Sequence, residues 1–95
     1  MIGQILRYIR NFHKVSLTEL SEEFEISQGY LSDIERGVKK PSLEIIDLYS
    51  TKFNIPSSGI LFFSENSDDP KQLKKLRTFI GKRALDILDY VNHHR

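Results

Sequence analysis

The sequence predicts an all-α fold of five short helices followed by one long one. Three observations carry this. Apolar residues recur at helical spacing in each segment, as in Ile2, Ile5, Leu6, Ile9 and Phe12. Helix-start residues stand before those segments: Ser16, Ser27, Ser42 and the pair Asp69-Pro70. Stop signals follow them at Gly37, Pro41 and Ile55-Pro56.

The first helix ends near Asn11 to His13, with Arg7, Arg10 and Lys14 as its charged positions. Ser16-Leu17-Thr18-Glu19 has the spacing of a capping box, in which each end residue satisfies the other's backbone N–H, and Val15 and Leu20 can form a hydrophobic staple. The second helix then runs from Leu17 to about Phe24, burying Leu17, Leu20 and Phe24. Ser27 caps a third helix that runs to about Arg36 and stops at Gly37. Ser42 caps the fourth, whose expected apolar face is Leu43, Ile46, Tyr49 and Phe53. A short helical turn from Ile60 to Phe63 closes this unit, residues 1–63, and a polar linker occupies 64–69. With Asp69 as cap and Pro70 in the first position, the last helix fills most of the C-terminal unit, 70–95, and should span roughly 22 residues, or about 33 Å. Leu73, Leu76, Ile80, Ala84, Ile87 and Val91 make a stripe along it, which Leu88 widens. Such a helix cannot stand alone in water. It packs on its own domain or on a second copy, and the wide stripe behind a short linker favours dimerisation.

Ninety-five residues hold one domain plus a tail element, and a hydrophobic share of 39% supports a small core. With no Cys there is neither a disulfide framework nor a thiolate metal site, and no metal or other cofactor is expected. The longest apolar run, Ile60 to Phe63, is far short of a membrane span, and no signal peptide is visible, so a cytoplasmic protein is expected. The formal net charge is only +1, but it is unevenly spread: −1 over residues 1–63, from seven basic and eight acidic residues, and +2 over 64–95, from seven and five. A near-neutral domain still binds nucleic acid if its basic groups share a face. The three His are scattered, and no phosphate loop or paired-His motif occurs, so nothing points to an enzyme.

The third helix is the distinctive stretch. Leu31 and Ile34 point inward, and Ile26 covers them from the turn. Gln28, Gly29, Ser32, Asp33 and Arg36 share the opposite face, which is polar and mostly short. A face of that kind can approach a nucleic-acid groove closely. In the major groove of double-stranded DNA, Gln28 can bond adenine bidentately, Ser32 can donate or accept, and Asp33 can accept from cytosine; Gly29 allows close backbone approach. Candidates for phosphate contact are Lys39 and Lys40 in the following loop, Arg36, the Ser16 and Ser27 hydroxyls and the Tyr30 hydroxyl.

Residues 1–63 resemble the lambda-repressor-like helix-turn-helix family, also called XRE or Cro/repressor. The resemblance rests on Arg10, Ser16, Leu20, Phe24, Ile26, Ser27, Tyr30-Leu31-Ser32, Ile34-Glu35-Arg36-Gly37, Pro41-Ser42-Leu43 and Phe53-Asn54-Ile55. Within the family, Met1 to Gln4 and Ser16 to Leu20 most resemble the DNA-binding domain of SinR-type repressors. What this implies is a dimeric transcriptional regulator on a two-fold symmetric operator, with helix three in the major groove and Arg10 paired with Glu35. The sequence departs from the family pattern in having Glu25 where the turn Gly is common, Leu17 where Gln often begins helix two, and Gly29 and Asp33 on the recognition face. Two other readings stay open: an adaptor that no longer binds DNA, and an antitoxin that holds a toxin through the last helix. A regulator of this kind can also meet an antirepressor protein.

Overall fold

The structure, a computed structural model, describes residues 1–66 and 69–93, with the backbone alone in 86–93. Six helices follow in order: α1 Ile2–Phe12, α2 Leu17–Phe24, α3 Gln28–Glu35, α4 Leu43–Phe53, α5 Ser57–Glu65 and α6 Pro70–His93. Four of the six starts carry a side-chain cap; α1 and α5 begin without one. The Ser16, Ser27 and Ser42 hydroxyl oxygens accept from the backbone N–H of Glu19, Tyr30 and Ile45 at 3.0, 3.2 and 3.3 Å. Only this half of the Ser16–Glu19 box forms. Asp69 accepts from the Lys71 N–H at 2.9 Å ahead of α6.

The core gathers around α1, which packs against α3, α4 and α5. Ile5, Leu6 and Ile9 meet Leu20 of α2, Leu31 and Ile34 of α3, and Ile46, Tyr49 and Phe53 of α4 in one buried cluster. Gly3 lets α1 touch α3: a Cβ there would run into the carbonyls of Ile34 and Glu35. Gly37, with φ +80°, turns the chain away from the end of α3 in a conformation that L side chains resist.

Four expectations are corrected. Leu43 is 72% exposed, and Ile45 is buried in its place. At about 100° per residue, Ile45 lies nearer than Leu43 to the centre of the arc defined by Ile46, Tyr49 and Phe53. α4 ends at Asn54, in the left-handed region at φ 54°, before Ile55-Pro56 is reached. α5 is a nine-residue helix, not a single turn, and runs past residue 63; Ile60 and Phe63 fix it to the core.

The fourth correction concerns the last helix. Leu76 and Ile80, expected in a dimer stripe, are 1% and 0% exposed and join the core of their own chain. Full burial stabilises such side chains by on the order of 1.5–3 kcal/mol each, enough to fix this part of α6 to the domain. Phe79 packs beside Phe63, ring centroids 5.8 Å apart. Leu73 and Leu85 stay exposed, at 41% and 67%, and Ala84 is half-buried. Of the remaining stripe, the side chains of Ile87, Leu88 and Val91 lie outside the described residues, as do Ser67 and Asp68 of the linker.

Candidate nucleic-acid interface

The interface is built on α2, the turn after it and α3. The turn is made by Glu25, which adopts φ 55°, ψ 41° so that its own N–H and that of Ile26 close back onto α2 at Glu22 and Ser21. Leu31 and Ile34, both fully buried, hold the inner side of α3. Its C-terminal end is held by Glu35, a buried charge on the same side. Arg10 Nε donates to both Glu35 oxygens at 3.1 and 2.9 Å, Arg10 Nη2 donates to Oε1 at 2.8 Å, and the Tyr49 hydroxyl donates to Oε2 at 2.7 Å. Arg10 Nη1 also donates to the Val15 carbonyl at 2.8 Å, tying in the α1–α2 loop. The pairing with Glu35 outweighs burial and raises the Arg10 pKa above its ordinary value. Burial first, then the bond to Glu35, pushes the Tyr49 phenol well up.

With its inner side locked, α3 presents Gln28 and Gly29 to solvent, Ser32 and Asp33 half-buried, and Arg36 exposed at its end. The Gln28 carbonyl oxygen accepts from the Thr18 hydroxyl at 3.1 Å, so α2 positions this side chain while its amide N–H groups stay available. Thr18 was not singled out by sequence reasoning; the signal was a short hydroxyl residue just inside a capped helix. A Cβ on Gly29 would meet nothing within 4 Å, so packing within the chain does not require glycine there.

Asp33 is already engaged. Its carboxylate pairs with Arg36 at 2.6 Å and Lys39 at 3.6 Å, and its carbonyl accepts from the N–H groups of Val38 and Lys39. In the free chain its carboxylate is thus the counter-ion of two cations at the end of α3. Lys39 also lies over the Tyr30 ring, 5.1 Å from its centroid. Tyr30 is half-buried against the core. Lys40 is exposed and unpaired among the described residues. Ser16 and Ser27 spend a lone pair on their caps and keep the O–H for a further acceptor. Exposed ion pairs such as Asp33–Arg36 are weak and exchange when a stronger anion arrives.

Beside this surface, Arg7, Arg10, Leu17, Ser32, Glu35 and Arg36 line a hollow of about 140 Å³ between α1, α2 and α3. Arg7, too, was absent from the sequence-predicted contacts. Its position on α1 gave no sign that it would reach α3.

The sequence pattern of the helix-turn-helix family matches residues 6–60, more than half of the chain. The chain belongs to the XRE-type helix-turn-helix family. Among similar proteins, the transcriptional regulator ClgR of Mycobacterium tuberculosis is 39% identical over 61 residues, covering 64% of this chain and 54% of ClgR. The immunity repressor of Bacillus phage phi105 is 33% identical over 60 residues, 63% of this chain and 42% of the phage protein. SinR of Bacillus licheniformis is 30% identical over 74 residues, 77% of this chain and 67% of SinR. The helix-turn-helix chain spans about half the length of ClgR and of several other curated relatives. No solved structure matches it significantly. Among the described residues of this helix-turn-helix protein, no helix is long and apolar enough to cross a membrane.

Proposed function

We propose that this chain is a sequence-specific DNA-binding transcription regulator, a repressor acting in the cytoplasm, that places α3 in the major groove. The observation that carries the reading is the open polar face of α3 on a helix whose other side is rigidly held. Gln28 and Gly29 have no structural duty that keeps them from a ligand. Relatives named as regulators and repressors support the same reading. Gln28 reads a base edge, and Lys40, Ser16 and Ser27 meet phosphates, with Lys39 and Arg36 joining them as Asp33 is outcompeted.

The operator is two-fold symmetric and the chain binds it as a homodimer. One domain makes few contacts, whereas a pair sets two recognition helices about 34 Å apart, one turn of DNA. Among the described side chains of α6, Leu73 and Leu85 are exposed apolar residues available for pairing. Selection of bound duplexes from a random pool tests the proposal. The expected result is a motif with two inverted half-sites, centred about one helical turn apart. Absence of any enriched sequence overturns it.

The same exposed leucines, with Phe62 at 52% exposure, favour a second reading in which α6 meets a different protein, an antirepressor or a toxin. The mass of the purified species separates the two, since a homodimer has twice the mass of one chain.

A further inference from the structure

We infer that a second hollow, between the start of α1 and the loop joining α3 to α4, takes a small amphiphile with an apolar body and one anionic head, and that filling it opposes DNA binding. The site stands on geometry and charge; only its effect on DNA rests on the regulator reading above.

The hollow measures about 350 Å³, a size that suits a small molecule. Its walls come from the start of α1, Ile34 of α3, the loop after α3, Ile46 of α4 and Leu61 of α5. Ile34 and Ile46 are buried and form its floor, whereas Met1 and Leu61 stand exposed at its mouth. Met1 lies over Gly37, where a Cβ would run into its sulfur. An unbranched thioether is an adaptable wall. An apolar body seated here removes both exposed side chains from water, and that burial drives entry.

Charge sets the head group. Lys39 and Lys40 line the hollow, and none of its lining residues is acidic. Lys40 has no acid partner among the described residues. Lys39 is 3.6 Å from the Asp33 carboxylate, too far for a hydrogen bond and so loosely held. Beside apolar walls the attraction between opposite charges is screened less than in open water. A neutral guest leaves both lysines unused, and a cationic guest is repelled by them.

The link to DNA runs through the same two side chains. Lys39 and Lys40 are proposed at phosphates, and an ammonium group that faces a bound head is withdrawn from the duplex. The hollow also reaches Ile34 and Gly37 at the end of α3. Amphiphile and duplex therefore weaken each other, by the same factor in each direction.

The probe is octanoate, followed by the amide resonances of Gly3 and Gly37. Acetate at equal ionic strength controls for salt and for the head alone, and octanol is the neutral analogue. Octanoate should shift both resonances saturably and acetate should not. From hexanoate to octanoate two more methylenes are buried, so binding should tighten about fifteenfold, or about fourfold for each. Lys39→Gln/Lys40→Gln should weaken octanoate by about fivefold to thirtyfold. Leu61→Glu, at an exposed position that the fold tolerates, should weaken it as well. Octanol that binds as tightly as octanoate, or a double lysine variant without loss, overturns the anionic head. Equal shifts around Leu73 and Leu85 of α6 reduce the effect to adsorption on apolar surface and overturn the site. The same Gly3 and Gly37 shifts on raising the protein concentration without a probe give the hollow to a second copy, which also overturns it. With a mixed-sequence duplex of about 30 base pairs, three helical turns, saturating octanoate should lower affinity. It should also reduce the slope of log K against log salt by up to about 1.8, two phosphates' worth. Octanoate that fills the hollow and leaves duplex affinity unchanged overturns the antagonism. A chain that binds octanoate but no duplex sinks the regulator reading and upholds the site.

Discussion

Arg10 and Glu35, 25 residues apart, meet through three hydrogen bonds of 2.8 to 3.1 Å and leave the carboxylate only 3% exposed. The pair joins α1 to the last residue of α3, so it helps fix how the open face of α3 is held against the core. Removing one partner strands a buried charge. Arg10→Met is expected to cost about 3–5 kcal/mol in urea unfolding, while adding Glu35→Met and Tyr49→Phe, so that no buried partner is stranded, recovers most of it. A loss from Arg10→Met under about 1 kcal/mol, the worth of an exposed pair, would mean that something else holds α3.

Tyr49 adds a pH dependence to the same network. Its phenol is raised above the ordinary value of 10.0 by burial and by its bond to Glu35. The folded state thus binds the proton more tightly than the unfolded chain does. The contribution is complete below pH 10, and stability falls as pH rises from there toward the folded-state value. Tyr49→Phe should lower stability at neutral pH by about 1.5–3 kcal/mol, for a lost bond to a charged group. It should also flatten the alkaline decline. Urea midpoints on either side of pH 10 check both effects, and an equally steep decline in the variant would refute the assignment.

Glu25 sits at φ 55° in the turn between α2 and α3. The left-handed region strains an L side chain by about 1–2 kcal/mol, and the looser unfolded chain of a glycine offsets part of the relief. Glu25→Gly is expected to stabilise the domain by about 1 kcal/mol with an unchanged denaturant slope. A destabilised Glu25→Gly variant would show that the glutamate makes up for its backbone elsewhere.

On the interface, Asp33→Asn and Gln28→Ala should part company. Asp33→Asn frees Arg36 and Lys39, now 2.6 and 3.6 Å from the carboxylate. Affinity for every duplex should rise, with a steeper salt slope by up to about 1.8, two phosphates' worth. Gln28→Ala should cost about 1–3 kcal/mol of discrimination at one base position and leave other positions alone. A selected motif indifferent to Gln28→Ala would move base reading away from that side chain.

Two leucines on α6 answer different questions. Leu76, 1% exposed, belongs to the core, so Leu76→Ala should destabilise the fold by about 2–5 kcal/mol. Leu85, 67% exposed, should tolerate Leu85→Glu with an unchanged melting temperature for the monomer, while the proposed dimer dissociates in sedimentation equilibrium. A Leu85→Glu protein that sediments as the wild type does would remove this residue from the pairing surface.

What the sequence determined by itself is mostly local. Serine caps and apolar spacing act within a turn or two, so six helical segments, α5 among them only as a single turn, and the α2–α3 motif were legible, as was Gln28 on the open face. The Arg10–Glu35 pair came from resemblance, since nothing local links residues so far apart. Tertiary structure alone decided the rest. Whether Leu76 and Ile80 face a partner or their own core depends on where α5 delivers α6, and an amphipathic stripe reads the same either way. The hollow with Arg7, the seat of Gln28 on Thr18 and the pairing of Asp33 with Lys39 likewise arise where elements meet. Periodicity reports which face of a helix is buried, not what is packed against it.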